Sequence, residues 1–213
     1  LHKMQKSKSD LAAYLTVLRD VRFMQVHELR SQHLDYLVQG LVSGMSFLHE
    51  QEHLAVVKGI MPALINAIDS DLHRYKFRNV INLLTSFTDI HTSKPEIVTS
   101  DQLSTLHRMM NKYLVEYISQ NKKDINGSEY ANLIMQLANA QQMGFIGVYE
   151  NRLLERIVQI FIKDHQELYF FSTADQLKLL KGFDVLIAQL ENPKSYLNNV
   201  RTLLVQMTLN TPS

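Results

Sequence analysis

The sequence predicts an all-α protein: a right-handed solenoid of about four α-α hairpins of ~42 residues each, preceded by an N-terminal helix. Three observations lead there. Gly (7) and Pro (4) are scarce among 213 residues, too few for a fold built on many tight turns. Apolar residues recur at helical spacing, as Leu11, Tyr14, Leu15 and Leu18 do. A short string also recurs along the chain, with two apolar residues, a variable one, a small one and usually a large apolar one.

The elements follow in order. Residues 1–30 form a basic, polar lead-in and a helix that begins at Asp10, with Ser9 or Asp10 as its N-cap. Residues 31–209 form the helical-repeat domain, and residues 210–213 form a tail. Within the domain eight helical segments are expected, at 31–50, 52–68, 72–90, 100–119, 126–142, 148–163, 173–190 and 193–209. Ser100 precedes the run that begins at Asp101, and Ser172 with Asp175 resembles a capping box. Asn192-Pro193 offers an N-cap followed by a proline at the first helical position, where its missing N–H costs nothing. Pro95 and Asn126-Gly127-Ser128 mark breaks. Pro62 predicts that the second segment is kinked or starts near Gly59.

The recurring string reads Leu41-Val42-Ser43-Gly44-Met45, Leu83-Leu84-Thr85-Ser86-Phe87, Leu137-Ala138-Asn139-Ala140-Gln141 and Leu179-Leu180-Lys181-Gly182-Phe183. Its small positions, 44, 86, 140 and 182, are separated by 42, 54 and 42 residues. A small side chain there lets a neighbouring helix approach closely. A single hairpin cannot bury its own apolar face, so hairpins must stack.

Composition excludes several classes of protein. At 46% hydrophobic and 20% charged residues, the chain can bury a core. It has no Cys, which removes disulfides and thiolate metal sites. Its net charge is +1, with no general excess of the kind dedicated nucleic-acid domains carry, so any such contact needs a local patch. No apolar run is long enough for a membrane span. Leu1 stands where an initiating Met would, so a cut or processed start is expected.

No residues assemble into an enzyme signature, and no cofactor motif is present. His49-Glu50-Gln51-Glu52-His53 matches His-Glu-x-x-His by letters, yet it is polar throughout, sits at a helix junction and lacks a third-ligand signature. It reads as a solvated turn. Val42-Ser43-Gly44 lacks the strand that a nucleophile elbow needs. Gly144 and Gly147 lack both the extra Gly and the Lys-Ser/Thr of a phosphate loop. Glu150 and Glu155 lie among basic residues and read as solvated surface.

The placement of cations is more informative than their number. Arg108 with Lys112, and Arg152 with Arg156, are i, i+4 pairs on second helices of the expected hairpins. Lys58 and Arg201 fall on the second helices of the first and last hairpins. Successive cations on that side would track phosphates, with Tyr113, Tyr117 and Tyr149 near enough to stack on bases. The competing reading is ordinary surface charge offset by Glu116, Glu150 and Glu155. A second basic group, Arg74-Lys76-Arg78, opens the third segment, where cations oppose the helix dipole.

Two stretches resemble a known family. Tyr130-Ala131-Asn132-Leu133 through Leu137-Ala138-Asn139-Ala140 and Met143-Gly144-Phe145, continuing into Asn151-Arg152-Leu153-Leu154-Glu155-Arg156-Ile157, is similar to one unit of the helical-hairpin repeats of organellar RNA-associated proteins. Leu177 through Phe183 with Asn192 to Leu204 resembles another. These are the heptatricopeptide- and octotricopeptide-like repeats, including the FAST-kinase-like group. The resemblance implies a mitochondrial or plastid protein that binds RNA, acts in transcript processing, or sits in a ribonucleoprotein. The near-neutral charge then implies a module that works beside other protein subunits of a larger complex. A HEAT- or armadillo-like protein–protein scaffold without RNA contact shares the repeat length and is the alternative.

Overall fold

The computed structural model describes residues 37–42, 51–121, 124–145, 147–163, 171–188 and 195–209, and these are all helical apart from short connections. A helical segment covers 37–42. It is followed by α1 (Gln51–Asp71), a 3₁₀ turn (Leu72–Arg74), α2 (Phe77–Ser93) and α3 (Ser100–Asn121). Then come α4 (Gly127–Gln142), α5 (Val148–Lys163), α6 (Thr173–Ala188) and α7 (Ser195–Leu209). No described helix is long and apolar enough to cross a membrane. The expected helix in residues 1–30, Gly44 of the first repeat string and the Asn192-Pro193 cap lie outside the described residues.

The chain divides into two compact units, Leu1–Leu106 and His107–Ser213, with the division inside α3. In the first unit, α1 runs unbroken through Pro62 rather than starting at Gly59. Pro62 and Lys58, whose carbonyl loses its N–H partner to the proline, are both exposed residues. The expected segment 72–90 is instead a 3₁₀ turn followed by a helix that starts at Phe77. Buried Tyr75 and Phe77 flank extended Lys76 and set the turn between them. Arg74 therefore precedes the helix, where it pairs with Asp71 at 3.7 Å, and Lys76 is its N-cap. The α2–α3 connection is closed by His91 Nδ1, 2.7 Å from the Val98 carbonyl. The start of α3 is capped one residue earlier than expected. Thr99 Oγ1 accepts the Gln102 N–H and Gln102 Oε1 accepts the Thr99 N–H, a reciprocal capping box.

In the second unit, α4 packs with α5 and α6 with α7, and the two hairpins stack, α4 on α6 and α5 on α7. Gly182 lets α6 pack tightly on α4: a Cβ there would sit 2.5 Å from Ile134 Cγ2. Of the other small positions, Ala140 is fully buried and Ser86 half-buried. An aromatic group seals the junction, with the Phe161 ring edge-on to Tyr130, Phe171 and Phe183. Local chemistry starts each hairpin. Asn126 and Glu129 form a full capping box at α4. At α6, Ser172 Oγ accepts the Asp175 N–H and donates to Asp175 Oδ2 at 2.7 Å, because the shorter Asp reaches the hydroxyl instead of the backbone.

Candidate functional site

Where α3 meets α5, two kinds of contact lie side by side: a buried polar network and an open groove. The network begins at the turn between α4 and α5. Gly144 has a φ of +79°, and the Gly144 and Phe145 N–H groups bond back to Gln141 and Ala140. This is a Schellman ending, and it delivers Phe145 onto His107 of α3, with ring centroids 5.5 Å apart and nearly parallel. The two glycines that fail as a phosphate loop are thus a helix stop and a helix start. Gly147 precedes α5 and donates its N–H to Glu150 Oε2 at 2.9 Å. The other carboxyl oxygen accepts from Asn111 Nδ2 at 2.8 Å. Glu150 is only 4% exposed, which corrects its reading as solvated surface: it caps its own helix and is covered by α3. His107 is buried beside it, and that burial lowers its pKa to about 4, with Glu150 pulling the other way.

Two turns further along both helices, Arg156 meets Ser119. Its Nε and Nη2 lie 3.4 and 3.3 Å from Ser119 Oγ, and Nη1 lies 3.5 Å from Gln159 Oε1. Asn111–Glu150 and Ser119–Arg156 advance in the same direction on both helices, so α3 and α5 run parallel here. Between them lies a groove of about 220 Å³, lined by Val115, Ser119, Arg152, Glu155, Arg156 and Gln159. Arg152 and Arg156 are exposed and Glu155 is half-buried.

The other sequence candidates are distributed around this groove. Arg108 and Lys112 are exposed and continue the Val115–Ser119 face of α3 toward its N-terminus, at spacings of three and four residues. Tyr113 does not line the groove. It is half-buried, with its ring tilted against Tyr117 at 5.9 Å. Burial pushes its hydroxyl pKa up, and Tyr117 adds to the rise. Arg201, on α7, forms an ion pair with Asp184 of α6. Lys58 is exposed on α1, in the first unit. The side chains of Tyr149, His53 and Glu52, and all of His49 and Glu50, lie outside the described residues.

Sequence reasoning did not single out Ser119, Gln159 or the role of Glu155. Ser119 stands at i+7 from Lys112, on the face that Arg108 and Lys112 already define, and this periodicity was the available signal. Among the described residues, no group of three or more His, Asp or Glu side chains is arranged to hold a metal. Neither a protein-family model, nor a curated protein, nor a solved structure matches the chain.

Proposed function

We propose that this chain is a non-enzymatic helical-repeat module that binds single-stranded RNA and works among partner subunits of a mitochondrial or other organellar RNA-processing or ribonucleoprotein complex. The observation that carries this reading is the segregation of charge in the second unit. Among the described residues from His107 onward, α3, α5 and α7 expose Arg108, Lys112, Arg152, Arg156, Lys163 and Arg201 beside exposed Glu116 and half-buried Glu155, with Arg201 paired to Asp184 of α6. On α4 and α6, Glu129, Asp175 and Asp184 outnumber Lys178 and Lys181. A near-neutral chain therefore carries a local cationic side, the arrangement that phosphate tracking needs. Two stacked hairpins joined at Gly182, one of the recurring small positions, support the reading of the array as a solenoid of ~42-residue repeats. The compartment rests on the repeat resemblance of Tyr130–Ile157 and Leu177–Leu204.

The test is a fluorescence-anisotropy titration of the chain with a single-stranded RNA pool at several salt concentrations, repeated with Arg152→Glu/Arg156→Glu. Salt-sensitive binding that the double reversal weakens is expected; binding and salt slope unmoved by the reversal would end this reading. One observation favours the second reading, a HEAT- or armadillo-like scaffold without RNA contact. Arg201 is already neutralised by Asp184, while Leu177 and Leu209 on the same hairpin are 52% and 79% exposed, available for a partner subunit to cover. That reading predicts no RNA affinity even at low salt.

A further inference from the structure

Arg156 reaches from α5 to a single atom of α3. Its Nε and Nη2 groups both point at Ser119 Oγ, at 3.4 and 3.3 Å. Those two N–H groups form one edge of a planar fork, and the geometric match for that edge is a pair of oxygens on a carboxylate or a phosphate. Ser119 supplies one oxygen, and both contacts are longer than a usual N–H···O bond. The hydroxyl hydrogen is already donated to the Val115 carbonyl, at 2.8 Å. Gln159 Oε1 lies 3.5 Å from Nη1 and steadies the guanidinium from its far side. Ser119 is exposed, stands two residues before the end of α3 at Asn121, and lines the open groove of about 220 Å³. A phosphate on Ser119 Oγ would carry its outer oxygens beyond the hydroxyl position. It would give the fork the second acceptor it lacks, and Arg156 would keep the partner residue it already has.

We propose that Ser119 is a phosphorylation site and that Arg156 receives its phosphate, closing the groove. The donor is a nucleoside triphosphate held by a protein kinase. A bond forms between Ser119 Oγ and the γ-phosphorus, the bond from that phosphorus to the β–γ bridging oxygen breaks, and the nucleoside diphosphate leaves. The hydroxyl proton passes to a base of the kinase. The modified serine gains about 1.5 to 2 negative charges. Near a helix C-terminus such charge is unfavourable by itself, and exposed Glu116 one turn back and Glu155 in the lining oppose it further. Arg156 offsets this through two charge-assisted hydrogen bonds. The phosphate then ties α3 to α5 and turns a lining that holds two arginines and one glutamate from positive to negative. The closure toward RNA rests on the RNA reading above; the pairing of the phosphate with Arg156 does not.

The experiment installs phosphoserine at position 119 of the whole 213-residue chain by genetic code expansion, with and without Arg156→Ala. Phosphorus NMR reads the phosphate directly. Its second pKa, about 6 for a solvated phosphoserine, should lie lower with Arg156 in place and return toward that value in Arg156→Ala. The same titration in both chains would refute Arg156 as the receptor, whatever the chain does with RNA. Phosphopeptide mapping of the chain purified from its native source, with phosphatases inhibited, should find phosphate on Ser119; an unmodified Ser119 there would overturn the site. In anisotropy titrations with a single-stranded RNA pool, the phosphorylated chain should bind about tenfold more weakly than the unmodified one, the scale of one lost hydrogen bond to a charged group. Equal RNA affinity would refute the closure. If neither form binds RNA, the RNA reading falls and the NMR titration alone decides the pairing.

Discussion

Asn111 donates its side-chain amide to Glu150 over 2.8 Å, a buried bond that ties α3 to the first turn of α5. The same carboxyl group caps its own helix through the Gly147 N–H. Removing the amide leaves a buried acceptor with one of its two described donors. Asn111→Ala is therefore expected to destabilise the chain by about 1–3 kcal/mol, read as a lower urea midpoint. Glu150→Gln, which keeps an acceptor for the Gly147 N–H, should cost less than Glu150→Ala.

His107 gives the chain a pH dependence with a definite sign. Its folded pKa is lowered by burial from 6.5 to about 4. Between those values the unfolded chain binds a proton that the folded chain refuses. The stabilising contribution is thus present above about pH 6.5, is lost as pH falls toward 4, and falls no further below that. The loss amounts to about 3 kcal/mol. His107→Phe keeps a ring against Phe145 and cannot protonate, so its urea midpoint should fall less than wild type's across this window. Parallel curves would show that another group controls the titration.

Gly182 and Gly59 predict opposite outcomes for the same substitution. Both lie within helices, where Ala is intrinsically favoured by about 1 kcal/mol. At Gly59 a Cβ meets nothing within 4 Å, so Gly59→Ala should stabilise by about 0.5–1 kcal/mol. At Gly182 it would collide with the β-branched Ile134, which is fully buried. Gly182→Ala should cost about 1–3 kcal/mol, and in the Ile134→Ala background the penalty should shrink. Thermal melts of the four variants test both claims.

The cations predict a graded salt response. Each phosphate contact with a single strand contributes about 0.7 to the slope of log K against log salt. On the proposed RNA-binding reading, Arg156→Ala is expected to lower the slope by about 0.7. Arg201→Ala should lower it by less, because Asp184 already pairs with that guanidinium. Equal effects from the two arginines would point to diffuse electrostatics rather than a groove.

Local order was legible because its causes are local. The reading of α5 as 148–163 coincides with the observed helix, and α4 begins within one residue of its expected start. Apolar periodicity and the caps at Asn126 and Ser172 determine such boundaries within a few residues of chain. The same locality explains the misses. Pro62 carries a strong local signal for a break, yet it lies on an exposed face where the helix tolerates it. The 3₁₀ turn at Leu72–Arg74 follows from burying Tyr75 and Phe77, which no spacing rule expresses.

What the sequence by itself determined is the class of molecule: all-helical among its described residues, with cations placed on α3 and α5 at helical spacing. What only the tertiary structure decided is which of those residues meet. Glu150 and Glu155 look alike in sequence, five residues apart among basic neighbours. One is sealed under α3 with Asn111 and the other opens into a groove with Ser119 across from it. The physical reason is that burial and juxtaposition depend on the packing of helices distant in the chain. Asn111 and Glu150 lie 39 residues apart, and Ser119 and Arg156 lie 37 apart, well beyond the reach of any periodic pattern within one helix.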